Sequence, residues 1–173
     1  PLRILLTTYT KALINASQQL LKALGVDPDV HQVDVVNIDG IAPRFLSPGW
    51  RSRKPLADYL GVQRIADILR ESRSRTGSAA FSPDDARFVF EEFKWVILGN
   101  GLTSEDEYLK IERRGRGRPL GKRQRQAVWE LYEELRSRLE ADQACLFMQR
   151  IAVASWSVKQ PEYDYVFIDE AQD

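Results

Sequence analysis

Two short apolar runs at opposite ends of the chain restrict its fold more than anything between them. "RILLTT", residues 3–8, and "YVFI", residues 165–168, carry no polar alternation. Runs of this kind suit strands buried on both faces, as in a parallel sheet lying under helices. A helical pattern follows the first run at once. Thr10 is an N-cap candidate, Leu13, Ala16, Leu20 and Leu24 recur at helical spacing, and Gly25 stands where a helix-ending glycine belongs. Strand, tight turn and helix open a βα unit. Residues 31–38, "HQVDVVNI", read as a second strand, with His31 at its start and without a chemical role.

Between the two ends the periodicity changes. Residues 43–55 carry Pro43, Pro48, Gly49 and Pro55 and read as a loop or boundary. From Leu56 to about residue 155 the pattern is helical and no strand is expected. A helix near residues 62–71 uses Ile65, Ile68 and Leu69, and "SRSRTGS" follows as a polar linker. "FSPDDARFVFEEFKWVILGNG" is the best-punctuated helix. Ser82 caps it, Pro83 takes the first position, and Asp84 and Asp85 complement the dipole. Its apolar stripe is Ala86, Val89, Phe90, Phe93 and Ile97, and Gly99 closes it. A short helix starts at Thr103 or Ser104. A long amphipathic one places Val128, Leu131, Leu135 and Leu139 on one face, and a shorter one covers residues 146–154. Trp95 and Trp129 are expected to anchor helix packing, and Cys145 to be a small core residue.

Strands at both ends with helices between them predict an α/β fold: a partial parallel sheet interrupted by a mainly α-helical insertion. Residues 1–42 and 156–173 would form the sheet domain, and residues 43–155 the insertion.

Composition excludes several chemistries. Cys145 is the only cysteine and His31 the only histidine, so neither a disulfide framework nor a Cys- or His-cluster metal site can form within the chain. No apolar run approaches the roughly 20 residues that span a bilayer. No signal peptide is visible, and a cytoplasmic setting away from membranes is expected. The chain opens inside a strand-like run without an initiator Met, which reads as a piece of a longer polypeptide.

The second apolar run stops at Asp169-Glu170. In nucleotide-hydrolysing sheets a carboxylate at a strand's C-terminal end reaches the crevice where phosphates bind. Asp169 would hold Mg²⁺, directly or through water, and Glu170 would polarise the attacking water. On residues alone, acidic side chains that simply end a strand in solvent are the competing account.

The whole string "VFIDEAQD" resembles motif II, the Walker B element, of UvrD/Rep-like superfamily 1 DNA helicases. "ILLTTYTKAL" resembles their motif Ia, and "VVNIDGIA" sits where motif Ib would be. The helical block is similar to the insertion in the first RecA-like domain of these motors. The resemblance implies a RecA-like, P-loop NTPase-type sheet that couples Mg²⁺-dependent ATP hydrolysis to movement on single-stranded DNA. It assigns Asp169 to the metal and Glu170 to catalysis. Gln172 would lie near the γ-phosphate, acting in both nucleotide binding and catalysis. Thr8, Tyr9, Thr10 and Lys11 would face single-stranded DNA. An aromatic ring stacks on any base, and free amides at a helix start hold a phosphate; without the family, Tyr9 is a core aromatic and Thr10 a cap. Lys11 stands where the family has Asn, and Asp39 and Gly40 where motif Ib has His and Ser.

No Gly-x-x-x-x-Gly-Lys-Ser/Thr occurs in the chain. The resemblance places that loop before Pro1, so the 173 residues alone are expected neither to bind ATP well nor to hydrolyse it. A nucleic-acid-binding module with a vestigial nucleotide site and a helical protein-interaction lobe are the alternative classes.

"KIERRGRGRPLGKRQRQ", residues 110–126, concentrates Arg113, Arg114, Arg116, Arg118, Lys122, Arg123 and Arg125 against Glu112. Glycines and Pro119 suggest a flexible loop. Such a run is either a solvated basic face or a nucleic-acid contact through Arg–phosphate pairing. The family resemblance favours forked DNA, with Arg114, Arg116 and Arg118 as contacts. An exposed sheet edge is also expected, open to pairing between chains.

Overall fold

A computed structural model describes every residue except 1, 9, 77–79 and 170–173. The fold is mixed α/β, mostly helical, with two small parallel sheets. It divides into two compact units, Pro1–Ser47 with Ala154–Asp173, and Pro48–Val153.

The first unit holds a three-stranded sheet. Strand β1 (Ile4–Thr8) leads into helix α1 (Lys11–Ala23), the short helix α2 (Pro28–His31) and strand β2 (Val33–Asn37). The Thr10 hydroxyl accepts the Leu13 N–H at 3.3 Å and starts α1. Gly25, at φ +80°, ends it: the Val26 N–H reaches Leu21 O and the Gly25 N–H reaches Lys22 O, at 2.9 and 3.0 Å. The leucines of α1 are not covered as their spacing suggests; Leu13, Leu20 and Leu24 are exposed. His31 closes α2 rather than opening a strand. Its Nδ1 meets the Asp27 carbonyl at 2.9 Å, and Gln32, at φ 57°, turns the chain into β2.

Ile38, expected to end the second strand, instead opens helix α3 (Ile38–Phe45), which runs into the expected loop of residues 43–55; Pro48–Arg51 form a single turn, α4. Asn37 explains α3, because its Oδ1 accepts the N–H groups of Asp39 and Gly40 at 2.7 and 3.3 Å. Pro43 costs little in a helix that ends two residues later. The unit boundary therefore falls after α3, at residue 47, not at residue 42.

Strand β5 (Tyr165–Ile168) completes the sheet in the order β2-β1-β5, all parallel. It was expected to be buried. Among the described residues it is an edge strand paired with β1 alone, and all four of its apolar residues are more than half exposed. Asp34, Arg44 and Tyr163 tie β2, α3 and the segment before β5 together. The Asp34 carboxylate accepts from Tyr163 Oη at 2.5 Å and Arg44 Nη1 at 2.7 Å.

The second unit contains a pair of strands that sequence periodicity does not show. β3 (Lys54–Leu56) pairs in parallel with β4 (Ala144–Leu146). Between them run α5 (Asp58–Thr76), α6 (Ala86–Glu92), α7 (Glu105–Lys110) and α8 (Lys122–Ala141), and α9 (Phe147–Ser157) follows β4. The expected polar linker is helical as far as Thr76. The Ser82 N–H donates to Asp85 Oδ2 at 2.8 Å, closing the turn that precedes α6. Beyond Glu92 the helix widens into a π-turn over Phe93–Leu98. The stripe Ala86, Val89, Phe90, Phe93 and Ile97 is buried, with Ile65, Ile68, Leu69, Val128, Leu135 and Leu139 in the same core. Gly61 lets α5 approach α6: a Cβ there would lie 2.5 Å from the Phe90 ring. Trp129 and Cys145 are buried as expected, but Trp95 is 56% exposed, with Lys94 Nζ 4.9 Å from its ring centre.

Candidate functional site

The carboxyl ends of β1, β2 and β5 meet at one edge of the three-stranded sheet. Ile168 is in register with Thr7, and the Asp169 N–H donates to the Thr7 carbonyl at 2.9 Å. That bond extends the ladder by one residue and sets Asp169 beside Thr8, whose other neighbour is Asn37. Paired residues of a parallel sheet share a face, so Asn37 and Thr8 lie side by side at the rim, where Asp169 follows β5. Asp169 is exposed. The amino end of α1 opens beside the same rim, with Thr10 as its cap and Lys11 exposed in its first turn.

Thr8 was expected to face single-stranded DNA. It is 2% exposed, and its hydroxyl has no hydrogen-bond partner among the described residues. The Thr7 hydroxyl, on the opposite face beside Ile168, is in the same condition. Each unsatisfied buried hydroxyl costs about 1–3 kcal/mol, and sequence reasoning did not anticipate either. Tyr9, Glu170 and Gln172 lie outside the described residues.

Among the described residues no three His, Cys, Asp or Glu side chains converge as a metal cage. For magnesium the rim offers one carboxylate among the described residues, that of Asp169. That ion keeps several waters and is held by one or two carboxylates together with substrate phosphates. Asp169 would supply one such carboxylate, whereas the Thr8 hydroxyl is sealed from solvent.

The basic segment is less free than its composition suggests. Glu92 is fully buried on the apolar side of α6. Its carboxylate accepts from Tyr108 Oη at 2.8 Å, Arg113 Nη2 at 2.8 Å and Arg116 Nε at 3.2 Å, and Arg113 Nε also bonds it. Burial pushes the Glu92 carboxyl up. The bonds from Arg113 and Tyr108, with the charges of Arg113 and Arg116, outweigh that and hold it below the ordinary glutamate range. Arg116 also donates to the Phe88 carbonyl at 3.3 Å. Arg118 bonds Asp85 Oδ1 at 2.6 Å and lies 4.9 Å from the Phe88 ring centre. Arg125 donates to the carbonyls of Tyr108, Leu109 and Ile111 at 2.9–3.1 Å, satisfying the C-terminal end of α7.

Of the three arginines expected at DNA, Arg116 and Arg118 are therefore engaged within the helical unit. Arg114 is 84% exposed and pairs with Glu112, which is also exposed. Lys122 and Arg123, in the first turn of α8, are exposed as well. Glu92 was missed in the sequence. The available signal was a carboxylate three residues after Val89 on the buried stripe, followed by an excess of arginines.

No helix among the described residues is long and apolar enough to cross a membrane. No protein-family model matches the sequence, and no curated protein is significantly similar to it.

Proposed function

We propose that this chain is part of the first RecA-like motor domain of a UvrD/Rep-like superfamily 1 DNA helicase or translocase. The observation that carries the reading is the place of Asp169. It extends β5 at the carboxyl rim of a parallel sheet shared with β1, where α1 also begins. In α/β proteins, phosphates and their metals bind at such rims.

When bound, Mg²⁺-ATP supplies the phosphoryl group to be transferred and a cation that neutralises its charge. Asp169 would take one coordination position of that cation. Glu170, next in sequence, would accept a proton from the attacking water, and Gln172 would lie against the terminal phosphate. The amino end of α1 offers amide N–H groups and the Lys11 ammonium to the backbone of single-stranded DNA. Thr10 positions that helix end, and Tyr9 offers a ring on which a base can stack. Thr8, being buried, contributes here through its backbone. The helical unit would meet forked DNA through Arg114.

The experiment is ATP hydrolysis by the complete polypeptide in which this chain occurs, with and without single-stranded DNA. Magnesium-dependent turnover stimulated by single strands supports the reading. Turnover indifferent to DNA, or none, overturns it.

A further inference from the structure

Arg113, Arg114 and Arg116 are close in sequence and meet opposite environments. Arg113 and Arg116 are 5% and 13% exposed, and both bond the buried Glu92 carboxylate. Arg114, between them, is 84% exposed. The chain turns at Arg114 and Gly115, so the two pinned arginines are the ends of the turn. Gly115 sits at φ +70°, in the left-handed region that most side chains enter only at a cost. A Cβ added there would meet nothing within 4 Å, so the backbone and not the packing calls for glycine. Arg113 Nη1 also donates to the Arg118 carbonyl at 2.9 Å, which ties down the segment beyond the turn. One buried carboxylate thus fixes both ends of a turn whose tip carries a solvent-facing guanidinium.

We propose that Glu92 and Gly115 are positioning residues for a nucleic-acid contact: together they hold the turn that presents Arg114 to a backbone phosphate. The inference rests on the reading of Arg114 as a contact to forked DNA and adds the residues that aim it. Arginine binds phosphate best as a two-pronged fork, so the direction of the guanidinium matters as well as its charge. A side chain that starts from a fixed backbone also loses less freedom when it meets a ligand. In the free protein the fork is turned on Glu112, whose Oε2 lies 2.9 Å from Arg114 Nε and 2.8 Å from Nη2. Both partners are exposed, and surface pairs of this kind contribute little, so a phosphate can take the place of the carboxylate. Arg116 and Arg118 make no such contact, being bonded to Glu92 and Asp85.

The test measures binding of a fluorescein-labelled forked DNA to the 173-residue chain by anisotropy, with thermal melts as a check of folding. Arg114→Ala should weaken binding about tenfold. Gly115→Ala, which strains the turn without touching a neighbour, should weaken it about fivefold. Gly115→Asn should stay within about twofold of wild type, because asparagine tolerates the left-handed region. Glu92→Gln should also weaken binding about fivefold, although loss of a negative charge would by itself strengthen it. Should that variant fail to fold, Arg116→Lys, which keeps the charge and lacks the fork, takes its place. In an Arg114→Ala background none of these changes should add more than about twofold. Binding within about twofold of wild type in Gly115→Ala or Glu92→Gln, beside a weakened Arg114→Ala, overturns the positioning role and leaves Arg114 as a contact. So does a loss of the same size with and without Arg114, or a Gly115→Asn as weak as Gly115→Ala. No binding by wild type, or none lost in Arg114→Ala, overturns both the contact and its positioning.

Discussion

Arg113 closes on Glu92 as a buried, two-pronged ion pair, with 5% of the arginine side chain and none of the glutamate side chain exposed. Sequence composition suggests a free basic loop here. The pair instead locks that loop to the core of the helical unit. Removing one partner leaves a buried charge uncompensated, which costs about 3–5 kcal/mol. Arg113→Ala is therefore expected to lower the urea midpoint of the helical unit by an equivalent of about 3 kcal/mol. A change under about 1 kcal/mol would show that Arg116 and Tyr108 suffice.

Acid should undo the same network. Glu92 is held below its ordinary value, so its contribution is complete above the unfolded glutamate pKa of about 4.3. It is lost as pH falls through the lower folded value. Asp34, lowered chiefly by its bond from Tyr163, behaves in the same sense. Thermal melts should be flat in these contributions above about pH 5 and fall progressively below it. Arg113→Ala should flatten the acid limb; an unchanged limb would assign it to other carboxylates.

The arginines of residues 110–126 should separate by function. Arg114→Ala should lower the slope of log affinity for forked DNA against log salt by about 1, with thermal stability unchanged. Arg116→Ala should instead cost about 1–2 kcal/mol of stability, because it strips bonds from Glu92 and the Phe88 carbonyl. Titrations at several salt concentrations, together with melts, decide it. Equal effects of both substitutions on the salt slope would contradict the structural assignment of Arg116.

How much of this was legible depended on length and punctuation. The segment from Ser82 to Ile97 was readable because Ser82, Pro83 and the apolar stripe agree with one another. Strands β1, β2 and β5 were readable as apolar runs. The pair β3 and β4 was not, because three residues show no period and Pro55 argues against a strand. Pro55 is tolerated where only one edge is paired. The exposure of β5 could not be read either, since an apolar run does not say how many neighbours a strand has. At the rim, Asp169 was legible from the abrupt end of the run, whereas the burial of Thr8 follows from a central position in the sheet that no local pattern encodes.

The edge made by β5 should drive self-association of the isolated chain. Its apolar side chains are exposed, and its outer backbone groups meet no further strand among the described residues. Sedimentation velocity over a concentration series is expected to show association, and Val166→Lys, which puts a charge on the strand, should shift the chain towards monomer. Association unaffected by Val166→Lys would move the contact elsewhere.

The most direct measurement is the magnesium-dependent ATP hydrolysis rate of the complete polypeptide with Asp169→Asn. Loss of the metal ligand should lower turnover by roughly a hundredfold or more, while single-stranded DNA binding without nucleotide stays intact. A variant that hydrolyses ATP at the wild-type rate would contradict the assignment of Asp169, and with it the reading of this sheet edge as part of a motor.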